Sequence, residues 1–196
     1  MPHKSLFCSI FSIGLMGCSA LSLDPADQRD QSLPQVAPAA PVTAALHGAD
    51  GTSAGQVTLR TGPQGLLLAV EGENWPEGWH GVHLHAVGTC EAPSFSSAGG
   101  HLNPPDTPHP HGLLNWAGGP DSGDLQNVYA HADGTARAEL YLARSAALDL
   151  GAASRTAGLA LIVHANPDDH VSQPIGGAGP RIACAVLYPS SVPRQD

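Results

Sequence analysis

Cationic side chains are scarce in this 196-residue chain, with 8 lysines and arginines against 17 aspartates and glutamates. A nonspecific hold on nucleic-acid phosphates needs a basic face, so that class of function is disfavoured. An anionic substrate would have to be steered by local charge. Long apolar runs are also missing. Glycine at 23 and proline at 18 bound the hydrophobic stretches, a pattern of strands and loops rather than long helices. There is no repeat of solenoid length, and the length suits one domain.

The exception to the short runs is MPHKSLFCSIFSIGLMG at the start. A basic beginning and an apolar stretch closing on small residues predict a signal peptide over 1–17, too short to remain as a membrane span. The ending LMGC resembles a bacterial lipobox, which implies cleavage before Cys18 and lipidation of its thiol. Ser19 then favours the outer membrane. An ordinary signal without lipid is the alternative. Residues 18–41 read as a disordered tether, 42–190 as the folded domain, and 191–196 as a C-terminal tail.

Cysteine, with 4 in the chain, is scarcer than the aromatic residues, which are themselves few. With Cys8 leaving in the signal and Cys18 lipidated, Cys90 and Cys184 remain as a pair in an oxidising compartment and are expected to join. Closing a loop on the order of 100 residues contributes roughly 4–5 kcal/mol in the chain-entropy picture. Two free buried thiols are the alternative.

Eight strand candidates follow from the apolar patterning, at 42–47, 55–60, 65–71, 81–86, 127–132, 135–142, 158–164 and 181–187. They predict an all-β sandwich or flattened barrel. Residues 87–126 form an unusually long loop rich in glycine and proline, and such a loop needs an organiser. Its His101, His109, His111, Asp121 and Asp124 make a metal the natural one.

The pentapeptide GVHLH at 81–85 puts His83 and His85 on one strand face and Val82 and Leu84 on the other. Two imidazoles side by side are either surface groups or half of a metal site. The set GVHLHAVGTC, SAGGHLNP, HG, GDLQN, VHANPDD and GGAGPRIACAV, in that order between residues 81 and 186, resembles the copper/zinc superoxide dismutases, in particular their bacterial periplasmic branch. The resemblance implies a Greek-key β-sandwich or flattened eight-stranded barrel with a long metal-binding loop. It also implies dismutation of superoxide to oxygen and hydrogen peroxide in the cell envelope, as a monomer or homodimer touching the membrane only through a lipid anchor.

Residue by residue, the resemblance implies copper on His83, His85, His101 and His164, with His101 bridging to zinc and taking a proton when it lets copper go. Asp124 and His111 match zinc ligands, although His109 lies at a comparable distance from His101. The last zinc histidine is missing, and Asp121 stands in its place. A carboxylate is a competent zinc ligand, so in one reading the pocket keeps zinc, more weakly, through Asp121; in the other Asp121 is a turn residue, and the centre is copper-only or its loop uses His109 with His111. Asp168 matches an aspartate that hydrogen-bonds a ligand histidine of each metal. Arg181 matches an arginine that attracts and orients the anion, with a structural salt bridge as the alternative. Ala185 stands where the family has glycine and is expected to crowd its strand. His3, His47, His80, His131 and His170 carry no assignable motif role. The rival readings are a copper-binding or delivery protein without turnover and a structural envelope lipoprotein.

Overall fold

The structure, a computed structural model, describes residues 40–103, 108–115, 118–143 and 157–191. The expected signal peptide, Cys18, nearly all of the tether and the end of the tail lie outside the described residues.

Nine strands make up one antiparallel sheet: β1 (Val42–Gly48), β2 (Ser53–Gly62), β3 (Gly65–Gly72), β4 (Gly78–His80), β5 (Val82–His85), β6 (Val128–Ala130), β7 (Ala136–Ala143), β8 (Leu159–His164) and β9 (Arg181–Tyr188). Among the described residues there is no α-helix, only a 3-10 turn at Ser96–Ala98. The all-β expectation holds, with one strand more than expected. The candidate at 81–86 is β5, and the additional strand is the short β4 just before it, which none of the candidates covered.

The sheet order is β4-β6-β7-β3-β2-β1-β9-β8-β5. Strands β4 and β5 are therefore neighbours in the chain and opposite ends of the sheet, and Gly81 alone joins them. Its N–H donates to the Asn166 carbonyl and its own carbonyl accepts from His164 N–H, both at 2.8 Å. A Cβ at this position would come within 3.0 Å of Ala178 Cβ and 3.3 Å of Asp168 Cβ. The close approach explains why glycine stands where the sheet curls into a nearly closed barrel.

Alternation builds the wall: in β7 Ala136, Leu140 and Leu142 face inward while Arg137 and Tyr141 face out. Strands β5 and β8 are buried along their whole length. Their apolar sides, Val82, Leu84, Leu159, Leu161 and Val163, enter the main core with Leu46, Val57 and Leu68. Burial of each such side chain contributes about 1.5–3 kcal/mol before entropy. Ala185 sits fully buried in this core opposite Leu161, and the ladder is regular there. The crowding expected of it is absent, because the register shifts of this pair fall at Leu159/Ala160 and Val163/His164. A satellite cluster of Phe95, Ala98, Ala160, Ile162 and Cys184 lies beneath the loop that begins at Cys90.

Candidate metal centre

As the end strand, β5 exposes one edge to the long loop, and the loop pairs with it. Leu84 N–H donates to the Gly123 carbonyl and Leu102 N–H to the Leu84 carbonyl, each at 2.8 Å; Ala86 N–H donates to the Gly100 carbonyl at 3.0 Å. The residue pairs His85 with His101 and His83 with Asp124 result. An unpaired strand edge seeks partners. Here it finds them within its own loop, which is thus laid down as an added strand.

His83, His85 and His164 come from β5 and β8 and meet His101 from the loop. The ring centroids of His83 and His101 are 4.1 Å apart, and those of His83 and His164 4.9 Å. Each ring is oriented by its outer nitrogen. His85 Nδ1–H donates to the Gly99 carbonyl and His164 Nδ1–H to the Gly179 carbonyl, both at 2.9 Å, and His83 Nε2–H donates to Asp168 Oδ2 at 2.8 Å. The remaining nitrogens, His83 Nδ1, His85 Nε2, His101 Nε2 and His164 Nε2, are buried and have no hydrogen-bond partner among the described residues. Ligand atoms of these residues lie within 4.8 Å of one another. Buried nitrogens with outer hydrogen bonds fixing their tautomers fit an imidazole-bound metal such as copper.

His101 Nδ1 faces the other way, 3.0 Å from Asp121 Oδ2 and 3.1 Å from Asp124 Oδ1. His111 joins them with Nδ1 2.8 Å from Asp124 Oδ1, while its Nε2 lies 3.1 Å from Asp168 Oδ1. Ligand atoms of His83, His101, His111 and Asp124 form a second group within 4.8 Å, although His83 Nε2 is engaged by Asp168. His109 stays out of both groups, its Nδ1–H donating to the Pro120 carbonyl at 3.1 Å. Two imidazoles and two carboxylates make a donor set that zinc accepts.

The charges of the two pockets differ. Burial, joined by the charges of neighbouring rings and Arg181, holds His85 well below the usual imidazole range, and burial with His83 beside it pushes His164 down to about 3. Both rings therefore present lone pairs at neutral pH. Burial also works against His111, but the carboxylates of Asp124 and Asp168 outweigh it and push the ring up to about 10. His101 is raised in the same way by Asp121 and Asp124. Against the cost of burial, Asp124 and Asp168 are held below the ordinary carboxylate range by these histidines. A divalent cation would take the place of those protons.

The cleft over the cluster, about 450 Å³, is lined by His85, His101, His111, Asp121, Gln173 and Arg181 among others. Among the described residues Arg181 forms no salt bridge. Its guanidinium donates to the Phe95 carbonyl at 2.5 Å and the Gly99 carbonyl at 2.6 Å. Both carbonyls belong to the loop that the Cys90–Cys184 disulfide ties to β9, with Cα atoms 5.8 Å apart.

Sequence reading misses several supports. Asn127 grips the backbone of Asp168, accepting its N–H and donating to its carbonyl at 2.8 Å each. Gln173 holds His111 similarly, at 3.0 and 2.7 Å. Buried His80 sits between the His164 and Pro76 carbonyls, 2.8 Å from each, and His170 N–H donates to Asp168 Oδ1 at 2.6 Å. Amides in loops leave no periodic signal; only their partners reveal them.

Residues 53–187 match the family model of copper/zinc superoxide dismutase. The Cu-Zn superoxide dismutase of Caulobacter vibrioides is 48% identical over 151 residues, covering 74% of this chain and 84% of that protein. One from Escherichia coli K12 is 34% identical, covering 70% and 80%. Among solved structures, the Cu/Zn superoxide dismutase from Brucella abortus aligns with a TM-score of 0.60 at 27% identity, covering 76% of this chain and all of that one. A SOD-like protein from Bacillus subtilis aligns at 0.65 and 29%, covering 74% and 97%. With the family model matched over residues 53–187 and a relative 48% identical over most of both chains, the chain belongs to the copper/zinc superoxide dismutase family.

Proposed function

We propose that this chain removes superoxide in the cell envelope with copper held by His83, His85, His101 and His164, and zinc held by His101, His111, Asp121 and Asp124. Copper, when bound, supplies a one-electron couple, and zinc a fixed positive charge. The convergence of unpartnered imidazole nitrogens on one point carries the reading. His101 presents Nε2 to one pocket and Nδ1 to the other, so Nε2 is the atom at which this ring takes up and hands on a proton. Asp168 fixes His83 and His111 at once, coupling the two pockets mechanically. Arg181, a permanent cation beside the histidines, attracts and orients the anion. Two superoxide ions and two protons then yield oxygen and hydrogen peroxide.

A carrier of copper needs neither an anchored arginine in the cleft nor a histidine facing two pockets, which favours turnover over delivery. The disulfide suits an oxidising compartment, in keeping with export by the N-terminal segment and anchoring through Cys18. The test is superoxide decay by the copper-loaded protein from pH 6 to 10, with and without zinc. Fast decay that is flat with pH only when zinc is present supports both pockets. Fast decay that falls at alkaline pH regardless of zinc supports copper alone, and decay no faster than that of free copper rejects the enzyme.

A further inference from the structure

Asp121 stands directly after Pro120 on a loop, where a carboxylate would ordinarily turn to water. It is instead 6% exposed. One of its oxygens, Oδ2, lies 3.0 Å from His101 Nδ1 and 3.9 Å from His111 Nδ1. The other, Oδ1, accepts a hydrogen bond from Asn103 Nδ2.

The Asn103 amide has one possible orientation. Its Oδ1 accepts His109 N–H at 3.1 Å and its Nδ2 donates to the His109 carbonyl at 3.2 Å. Reversal would set donor against donor and acceptor against acceptor. An amide nitrogen carries two hydrogens; one goes to His109 and the other to Asp121. Asn103 also sits two residues after His101, beyond Leu102, whose backbone is held on both sides by Leu84 and Gly123. The bridging ring and the amide therefore share one rigid segment.

We infer that Asn103 is a positioning residue that makes Asp121 a metal ligand, by occupying Oδ1 and leaving Oδ2 aimed at the second pocket. The inference rests on the zinc reading of that pocket given above. A histidine at position 121 would need no such help, because an imidazole nitrogen is aimed by its ring plane. A carboxylate offers two equivalent oxygens, and something must choose between them. In this chain the loss of the third zinc imidazole is thus coupled to an asparagine on another part of the loop.

The test is the zinc dissociation constant, measured by chelator competition on the copper-loaded full chain and on Asn103→Leu, Asp121→His and the double variant. Asn103→Leu is expected to weaken zinc roughly 10- to 100-fold in the native background and by less than about 3-fold when Asp121→His is present. An equal loss in both backgrounds would overturn the inference, since Asn103 would then act only by holding His109. So would no loss in the native background. Asn103→Asp keeps the side-chain shape and sets a second negative group against Asp121; it should weaken zinc in the same direction if Asn103→Leu fails to fold. Failure of the unmodified chain to bind zinc while it binds copper would remove the zinc reading itself, and the inference with it.

Discussion

His85 and Arg181 share one acceptor: the Gly99 carbonyl takes a hydrogen bond from His85 Nδ1 at 2.9 Å and from the Arg181 guanidinium at 2.6 Å. A single peptide oxygen thereby fixes the tautomer of a metal-facing ring and the position of the cation beside it. The spacing between the His85 ring and the Arg181 guanidinium, the proposed copper ligand and anion guide, is set by one loop residue. The fork geometry matters, because Arg181 reaches Phe95 with its other nitrogen.

Arg181→Lys is expected to lower kcat/KM severalfold and Arg181→Ala by roughly tenfold or more, since a lysine ammonium cannot span both carbonyls in the same plane. Pulse radiolysis over a range of ionic strength checks this. The alanine variant should also lose much of the salt dependence; an unchanged salt response would place the steering charge elsewhere.

Removing the disulfide by Cys90→Ser with Cys184→Ser is expected to cost about 2–5 kcal/mol of stability. It should also reduce activity at temperatures where the barrel is still folded, because the loop carrying Phe95 and Gly99 loses its tie to β9. Thermal unfolding and activity followed on the same samples separate the two effects.

Asp168→Ala releases His83 and His111 together. Metal affinity should fall roughly 10- to 100-fold, with zinc lost first because His111 then keeps only Asp124. Asp168→Asn retains one acceptor and should fall in between. Competition with a graded set of chelators reports both metals.

At position 176 the backbone is left-handed, φ +59°, and a Cβ would fall 1.7 Å from Asp168 Oδ1 and 2.9 Å from His111 Nε2. Gly176→Ala is expected to lower stability by about 1–3 kcal/mol through strain and to displace Asp168. A weaker zinc constant, alongside a lowered denaturation midpoint, is the measurable pair.

Metal-free protein should be most stable near pH 6–7. His111 is pushed up to about 10, so its contribution is full below its ordinary value of 6.5 and is lost as pH rises toward 10. His164 is pushed down to about 3, so its unfolded form gains protons first and stability falls as pH drops below 6.5. The lowered Asp124 and Asp168 add to the acid loss below about 4. Zinc replaces the proton on His111, so loading should flatten the alkaline flank. Denaturant midpoints across pH, with and without metal, test this, and Asp168→Asn should shrink the alkaline loss in the metal-free protein.

Much of this protein was legible in its sequence, for reasons that differ by element. Alternation in β7 and the apolar runs of β3, β8 and β9 are local, so strands could be placed from residues alone. The short β4 at Gly78–His80 has no such run; its pairing with β6 makes it a strand. His83 and His85 share a face because strand geometry is periodic, and the motif order carried His101, His164, Arg181 and the cysteine pair. His80, by contrast, reads as a stray histidine until His164 and Pro76 are seen on either side of it.

By itself, then, the sequence determined the strand pattern, the family and the set of residue types able to bind metal, since these follow from period, composition and motif. Only the tertiary structure decided which histidine of the HPH stretch faces the second pocket, that Arg181 holds carbonyls rather than a carboxylate, and that Asp121 points inward. Those outcomes depend on contacts between segments far apart in the chain. The curl at Gly81 that lets β5 offer its edge to the loop is what brings those segments together.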